Sequence, residues 1–219
     1  MFAAAWHHFQ LGGWAMWLIL LWLILAVAVI AERTVYLYGA SINKDVFLAT
    51  MQKCILAGDV AKAVKMCSAA NAPLARIVQA GLVKVNRPDE EVQAAMDEAA
   101  LHEMPMINKR TGFLALFANL AMLSGLFGTI VGLIKAFGAV GGESVDPSQK
   151  ARILAEGISE AMNCTAFGLI AAIIALIGFA FHNNKTQKLL DDINAATVQV
   201  VNLVVNNRAK INLDEVAAE

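Results

Sequence analysis

Residues Thr111 to Ile134 read TGFLALFANLAMLSGLFGTIVGLI, 24 positions without an ionisable side chain, opening directly after Lys109 and Arg110 and closing at Lys135. At about 1.5 Å of rise per helical residue such a run exceeds the roughly 30 Å hydrocarbon core of a bilayer. Only a helix or a closed barrel satisfies its own backbone there, and a single uncharged run of this length is a helix. A second such run, AMNCTAFGLIAAIIALIGFAF, covers Ala161 to Phe181 and is closed by His182, Asn183, Asn184 and Lys185. A third, WAMWLILLWLILAVAVIA from Trp14 to Ala31, can be extended outward by Phe9 to Gly13. Trp6, Trp14, Trp17 and Trp22 cluster in its first half, as suits a side chain that favours the membrane interface. Ala26-Val27-Ala28 imitates a signal-cleavage site, but no Lys or Arg precedes the run, so it is expected to stay as an anchor.

Composition agrees. The 219 residues are 58% apolar and 16% charged, against roughly 45–50% and about 25% in soluble domains, so the excess has to face something other than water. Mean hydropathy is +0.59. A formal net charge of −1 without a basic patch gives no reason to expect a nucleic-acid partner. Cys54, Cys67 and Cys164 are too few and too scattered for a disulfide framework and are expected to be free thiols. His7, His8, His102 and His182 are dispersed without ligand spacing, so no metal and no cofactor is expected. Phosphate loops, nucleophile elbows and paired catalytic carboxylates are missing as motifs, and an enzyme is not expected.

Basic residues near span ends resist translocation, so their distribution sets the topology. None precedes the first span, whereas ten lie between the first and second (Arg33, Lys44, Lys53, Lys62, Lys65, Arg76, Lys84, Arg87, Lys109 and Arg110). The loop between the second and third holds only Lys150 and Arg152, and the tail holds Lys185, Lys188, Arg208 and Lys210. The chain is therefore expected to be an all-α membrane protein with three transmembrane helices, its N-terminus outside, and long cytoplasmic helical extensions. The corresponding divisions are an outer N-terminus and first span over 1–31, a cytoplasmic helical region over 32–110 and a second span over 111–137. An outer loop over 138–157, a third span over 158–181 and a cytoplasmic C-terminal helix over 182–219 complete the chain.

Within 32–110, three breakers read as helix starts: Gly58-Asp59, Asn71-Ala72-Pro73 and Asn86-Arg87-Pro88-Asp89, with Asp59 as a cap and the prolines near the first helical position. Asp89, Glu90 and Glu91 suit the positive end of a helix dipole. No further stop is visible before Gly138, so one long helix, kinked at Pro105, is expected to run into the second span. After the third span, Leu189, Ile193, Ala196, Val200 and Leu203 keep the three-and-four spacing of an amphipathic helix, and the third span is expected to continue through them.

On a wheel of about 100° per residue, Ala121, Gly125, Gly128, Thr129, Gly132 and Ala136 share one face of the second span. Ala161, Thr165, Gly168 and Ala172 share one face of the third. Small faces let membrane helices approach closely, and plain packing, with each threonine bonding the carbonyl four residues before it, explains much of this pattern. The matched threonines and Glu160, a carboxylate at the outer end of the third span, point beyond packing, since an ionisable group at membrane depth is by default a functional candidate. Glu160 can also reach outer headgroups, or pair with Lys135 or Arg152. It lies about 140° from Thr165 on the helix, so the two do not share a face. Lys135 is expected to snorkel to the surface. Asn163-Cys164-Thr165 matches a glycosylation sequon but falls inside a span.

The stretches LSGLFGTIVGLIKAF (Leu123 to Phe137) and AEGISEAMNCTAFGLIAAI (Ala155 to Ile173) resemble the two signature regions of the MotA/TolQ/ExbB proton-channel family, nearest its ExbB/TolQ branch. The joint pattern GxxGT in one span and EAxxxTAxGL in the next carries the resemblance, over roughly Ala121 to Lys188. It implies a multi-pass protein of the bacterial inner membrane, assembled as a homopentamer around a single-span ExbD/TolR-like partner whose membrane aspartate carries protons. By the resemblance Thr129, Thr165 and Glu160 line the proton pathway; Gly125, Gly128, Gly132, Ala161, Gly168 and Ala172, on the small faces, are expected to pack the helices against one another, with membrane lipids around the assembly. The implied function is a proton-driven stator that uses the proton motive force for periplasmic or outer-membrane work such as TonB-dependent transport, with a TonB-like protein as a further partner. The Tol system and gliding are alternative loads, and a non-conducting membrane scaffold is the alternative class. Two departures stand out: Met122 and Ile174 occupy positions where members of the family often carry proline.

Overall fold

The computed structural model describes Phe9 and residues 12–141 and 146–207. The elements are α1 (Ala15–Ala40), α2 (Lys44–Leu56), α3 (Val60–Ala69), α4 (Pro73–Val83), α5 (Asp89–Asn108), α6 (Thr111–Val140) and α7 (Pro147–Asn207). All regular elements among the described residues are helices, and three of them are long and apolar enough to cross a membrane. The chain divides into two compact units, one formed by residues up to 33 with 110–182, the other by 34–109 with the residues from 183 onward.

The first unit holds the three apolar runs. Its interior is built from small side chains: Ala121, Cys164 and Ala171 meet Met16 and Ile19, and Ala26, Leu114 and Ala118 meet Ala172 and Ala175. A polar bond crosses this interior from Trp22 Nε1 to Ser124 Oγ at 3.2 Å. The large side chains point outward instead, with Trp17 61%, Ile134 66% and Ile177 66% exposed. An inside of alanine and glycine and an outside of isoleucine and tryptophan suits lipid and is wrong for water. Where α6 begins, Arg110 donates to Glu32, and the neighbouring Arg33 is buried.

The second unit is a water-type bundle. Its core gathers Leu37, Met51, Ile55, Ile77, Val78, Leu82, Met96 and Ile107 around one stripe of α7: Leu189, Ile193, Ala196, Val200 and Val204. That stripe is the expected amphipathic face, with Leu203 half-buried at its edge. The breakers act as anticipated. Asp59 caps α3 by accepting from the Lys62 amide at 2.9 Å, Pro73 opens α4 after an extended Ala72, and Pro88 precedes the acidic first turn of α5. An equivalent cap, not expected from the sequence, opens α2, where Asn43 accepts from the Val46 amide.

The expected uninterrupted, proline-kinked helix is two helices. Pro105 is accommodated inside α5, and the chain breaks four residues later, where Lys109 is extended and Arg110 takes a left-handed φ of 66°. Proline removes one backbone donor and crowds the carbonyl four residues back, which strains a helix without having to end it, whereas a left-handed residue redirects the chain. The third span does continue without interruption, as the 61-residue α7.

All three cysteines are free and buried. Burial, with a smaller contribution from Cys54, pushes the Cys67 thiol up to about 11, and its sulfur contacts Met51 Sδ at 3.7 Å. Since the thiolate is the nucleophile, alkylation of Cys67 at neutral pH is expected to run roughly a hundredfold slower in the folded protein than in denaturant. Mass spectrometry after timed labelling reads this directly.

Candidate functional site in the membrane-spanning helices

The site is built on the seam between α6 and α7. Contacts run Ala136 to Gly157, Gly132 to Ala161, Gly128 to Cys164 and Gly125 to Gly168, so the two helices are antiparallel. The approach is as close as backbones allow. A Cβ added to Gly168 would lie 2.9 Å from the Ala121 carbonyl oxygen and 3.0 Å from the Gly125 Cα, and one added to Gly125 would lie 2.9 Å from the Cys164 carbonyl oxygen. Gly125, Gly128, Gly132, Ala161 and Gly168 thus all lie in this seam, and Ala172 lies one turn further, among Leu114, Ala118 and Ala26.

Helix α1 covers one side of the seam. A Cβ on Gly128 would meet Ala15 Cβ at 2.9 Å, Trp22 reaches Ser124, and Trp14 and Phe127 meet edge to face at 6.0 Å. On this side the Cys164 thiol donates to the Gly12 carbonyl at 2.9 Å, and Phe9 packs on Phe167. Every contact residue here is at, or one position before, a seam residue.

The threonines take the other side. Thr129 follows Gly128 and Thr165 follows Cys164, the pair in contact across the seam. One residue forward turns each helix by about 100°, and in an antiparallel pair the two rotations swing toward the same side. Thr129 and Thr165 therefore share the side that α1 leaves uncovered, and both are half-buried. Around them the side chains on this face are apolar and exposed: Met122 43%, Leu126 54%, Met162 68% and Leu169 45%. The Thr129 hydroxyl donates to the Leu126 carbonyl, three residues back rather than the expected four, a local bond of the kind plain packing makes. The Thr165 hydroxyl has no bond among the described residues.

Glu160 lies on the α1 side, across the seam from the threonines. It lines an open cavity of about 550 Å³ with Gly13, Gly132, Lys135, Ala136, Glu156 and Gly157 among its walls. Of the two candidate partners, Arg152 is bonded to Glu156 at 2.8 Å, and Lys135 shares the cavity without an ion pair among the described residues. The carboxylate instead abuts Gly13, whose φ of 67° is left-handed, so that a Cβ there would collide with Glu160 Oε1. Gly13, Glu156 and Gly157 are further residues of this cavity that no motif marked; the Gly12-Gly13 doublet just ahead of the first span is the one local signal of a turn there.

Gly13→Ala would add strain of roughly 1–2 kcal/mol and displace only the tip of a flexible side chain. It is expected to keep the helices and lower Tm by a few degrees. Gly39→Ala, where a Cβ meets nothing within 4 Å, is expected to leave Tm unchanged or raise it. Thermal melting in detergent checks both.

Three apolar helices, a glycine-lined seam, a threonine pair on its open side and a carboxylate in a cavity at its end define a multi-pass membrane protein with polar groups placed inside apolar surroundings. The chain belongs to the MotA/TolQ/ExbB proton channel family, which its residues 69–195 match. It is 31% identical over 182 residues to ExbB-like protein 1 of Synechocystis sp., covering 78% of this chain and 68% of that one. ExbB-like protein 3 of the same organism is 27% identical over 154 residues, covering 70% and 73% respectively. The Tol-Pal system protein TolQ of Haemophilus influenzae is 39% identical over 85 residues, 39% of this chain and 36% of that one. This kinship supports a proton-channel, stator-type role.

Proposed function

We propose that this chain is the stator subunit of a proton-driven motor in the bacterial inner membrane, with its N-terminus outside, and that it catalyses no covalent chemistry. Five copies would surround a single-span ExbD/TolR-like helix, placing the open sides of their α6/α7 seams toward it. The observation that carries the reading is the threonine pair, Thr129 and Thr165, on the one side of the seam that α1 does not cover. A hydroxyl can donate or accept, so it solvates a partner's aspartate in either protonation state without a fixed charge that would trap the proton. Glu160, in its cavity at the outer end, is the ionisable group beside which protons would enter. The work delivered would be TonB-dependent transport, with the Tol system and gliding as other loads of the same motor.

The scaffold alternative draws on one specific observation, that the small faces are fully used in packing α6 on α7 within one chain. The two readings separate in proteoliposomes containing the chain and its co-purified single-span partner. Proton uptake driven by an imposed gradient, and downstream work abolished by an uncoupler, support the motor. A stable oligomer that passes no protons with the partner present overturns it.

A further inference from the structure

Just past the apolar runs of α1 and α7, within the second unit, a cavity of about 530 Å³ is lined by Ser41, Asn43, Lys44, Lys185, Lys188 and Asp192, with Ile42, Asp45 and Leu189 completing its walls. Its charges are not all neutralised. Lys44 is held by Asp192 at 2.8 Å, and Asp45 also bears on it. Lys185 and Lys188, three residues apart on one face of α7, form no ion pair among the described residues. Opposite them stands the first turn of the 13-residue α2, the positive end of its dipole, with the Ser41 hydroxyl and the Asn43 side chain at its entrance. Lys185 is kept in place by the Tyr38 ring, its Nζ 5.4 Å from the ring centroid.

The surroundings indicate what brings the anion. Lys185 is four residues beyond Phe181, where the third apolar run ends, a distance of about 6 Å along the helix. Tyr38, beside Lys185, is 59% exposed, and Val35, one turn earlier on the same helix, is 76% exposed. Exposed tyrosine and valine next to two uncompensated lysines match the depth profile of a phospholipid, with glycerol and upper acyl chain against the apolar pair and phosphate at the ammonium groups.

We propose that this cavity binds the phosphate of an anionic phospholipid headgroup through Lys185 and Lys188, assisted by the first turn of α2, and so ties the chain to the anionic lipid of that leaflet. The shared chemistry is a phosphate oxyanion, which free inorganic phosphate also offers. The lipid is favoured because an apolar surface for its tail adjoins the charges.

The test uses the full chain purified in mild detergent, with phosphatidylglycerol or phosphatidylcholine added and retained lipid counted by native mass spectrometry. Three proteins are compared: the parent, Lys185→Gln with Lys188→Gln, and Lys53→Gln with Lys62→Gln, which removes the same charge elsewhere on the second unit. Helix content by circular dichroism confirms that each has folded. Phosphatidylglycerol retained by the parent and the control pair, but bound roughly thirtyfold more weakly by the Lys185/Lys188 pair, is the expected result. Equal retention by all three, or equal retention of phosphatidylcholine, overturns the site. Inorganic phosphate alone raising Tm of the parent, with no phosphatidylglycerol retained, overturns the lipid as its occupant.

Discussion

Thr165→Val is expected to cut proton flux through the assembled channel about tenfold to a hundredfold while leaving oligomer and partner binding intact. Valine keeps the branched shape at Cβ and removes only the hydroxyl. That hydroxyl has no bond among the described residues and sits on the open side of the seam, so its removal breaks no bond among them. What is lost is a hydrogen bond to whatever charged group passes, an interaction of about 1.5–3 kcal/mol, which as a barrier corresponds to the stated range. Thr129→Val should cost less, because its hydroxyl is already engaged with the Leu126 carbonyl and must leave that bond to serve a passing aspartate. Thr165→Ser, keeping the hydroxyl, should retain most of the flux. Proteoliposome uptake with size-exclusion analysis of each variant gives the comparison. Unchanged flux in an intact Thr165→Val assembly would remove the polar-lining mechanism.

The fold was legible where local chemistry decides it. Uncharged length marked the three spans, and Asp59, Pro73 and Pro88 marked helix starts, because a cap or a proline acts within one turn of itself. The break at Lys109–Arg110 was not legible. A left-handed arginine has no sequence signature comparable to glycine, and its conformation accompanies a pairing with Glu32, 78 positions away in the chain. Pro105 was the visible irregularity, yet a helix tolerates one missing donor.

The candidate site divides in the same way. Helical periodicity gathers each small face, since one helix suffices to define it. Which side of the seam α1 would cover is a property of three helices together, and it decides whether Thr129 and Thr165 are packed or open. The separation of Glu160 from Thr165 followed from about 140° on one wheel, but its neighbour Gly13 lies on another helix's entry turn. Likewise Arg152 was one of two candidate partners for Glu160, and it is taken by Glu156 one helical turn away.

Gly168→Ala should destabilise the membrane unit by about 2 kcal/mol, while the same substitution at Gly138, also in a helix, should be neutral or stabilising. In isolation each exchange favours the helix by roughly 0.5–1 kcal/mol, because alanine has less freedom to lose. A Cβ at Gly138 meets nothing within 4 Å and keeps that gain. At Gly168 it would stand 2.9 Å from a backbone oxygen and 3.0 Å from the Gly125 Cα, so no side chain can yield and the two helices must separate. Overpacking of this kind costs about 1–3 kcal/mol. Gly125→Ala meets the Cys164 carbonyl oxygen at the same 2.9 Å and should behave alike. Since each glycine faces the other, the double variant should cost distinctly less than the two single costs together, because helices already parted by one methyl accept the second. Additive costs would mean that the helices do not close on each other at this pair. Separation would also move Thr165, whose Cα lies 3.5 Å from where the Gly125 Cβ would stand, so flux should fall in both single variants even where the oligomer survives. Thermal melting of the four proteins, with flux measured on those that remain assembled, distinguishes loss of the seam from loss of the polar side chains it positions.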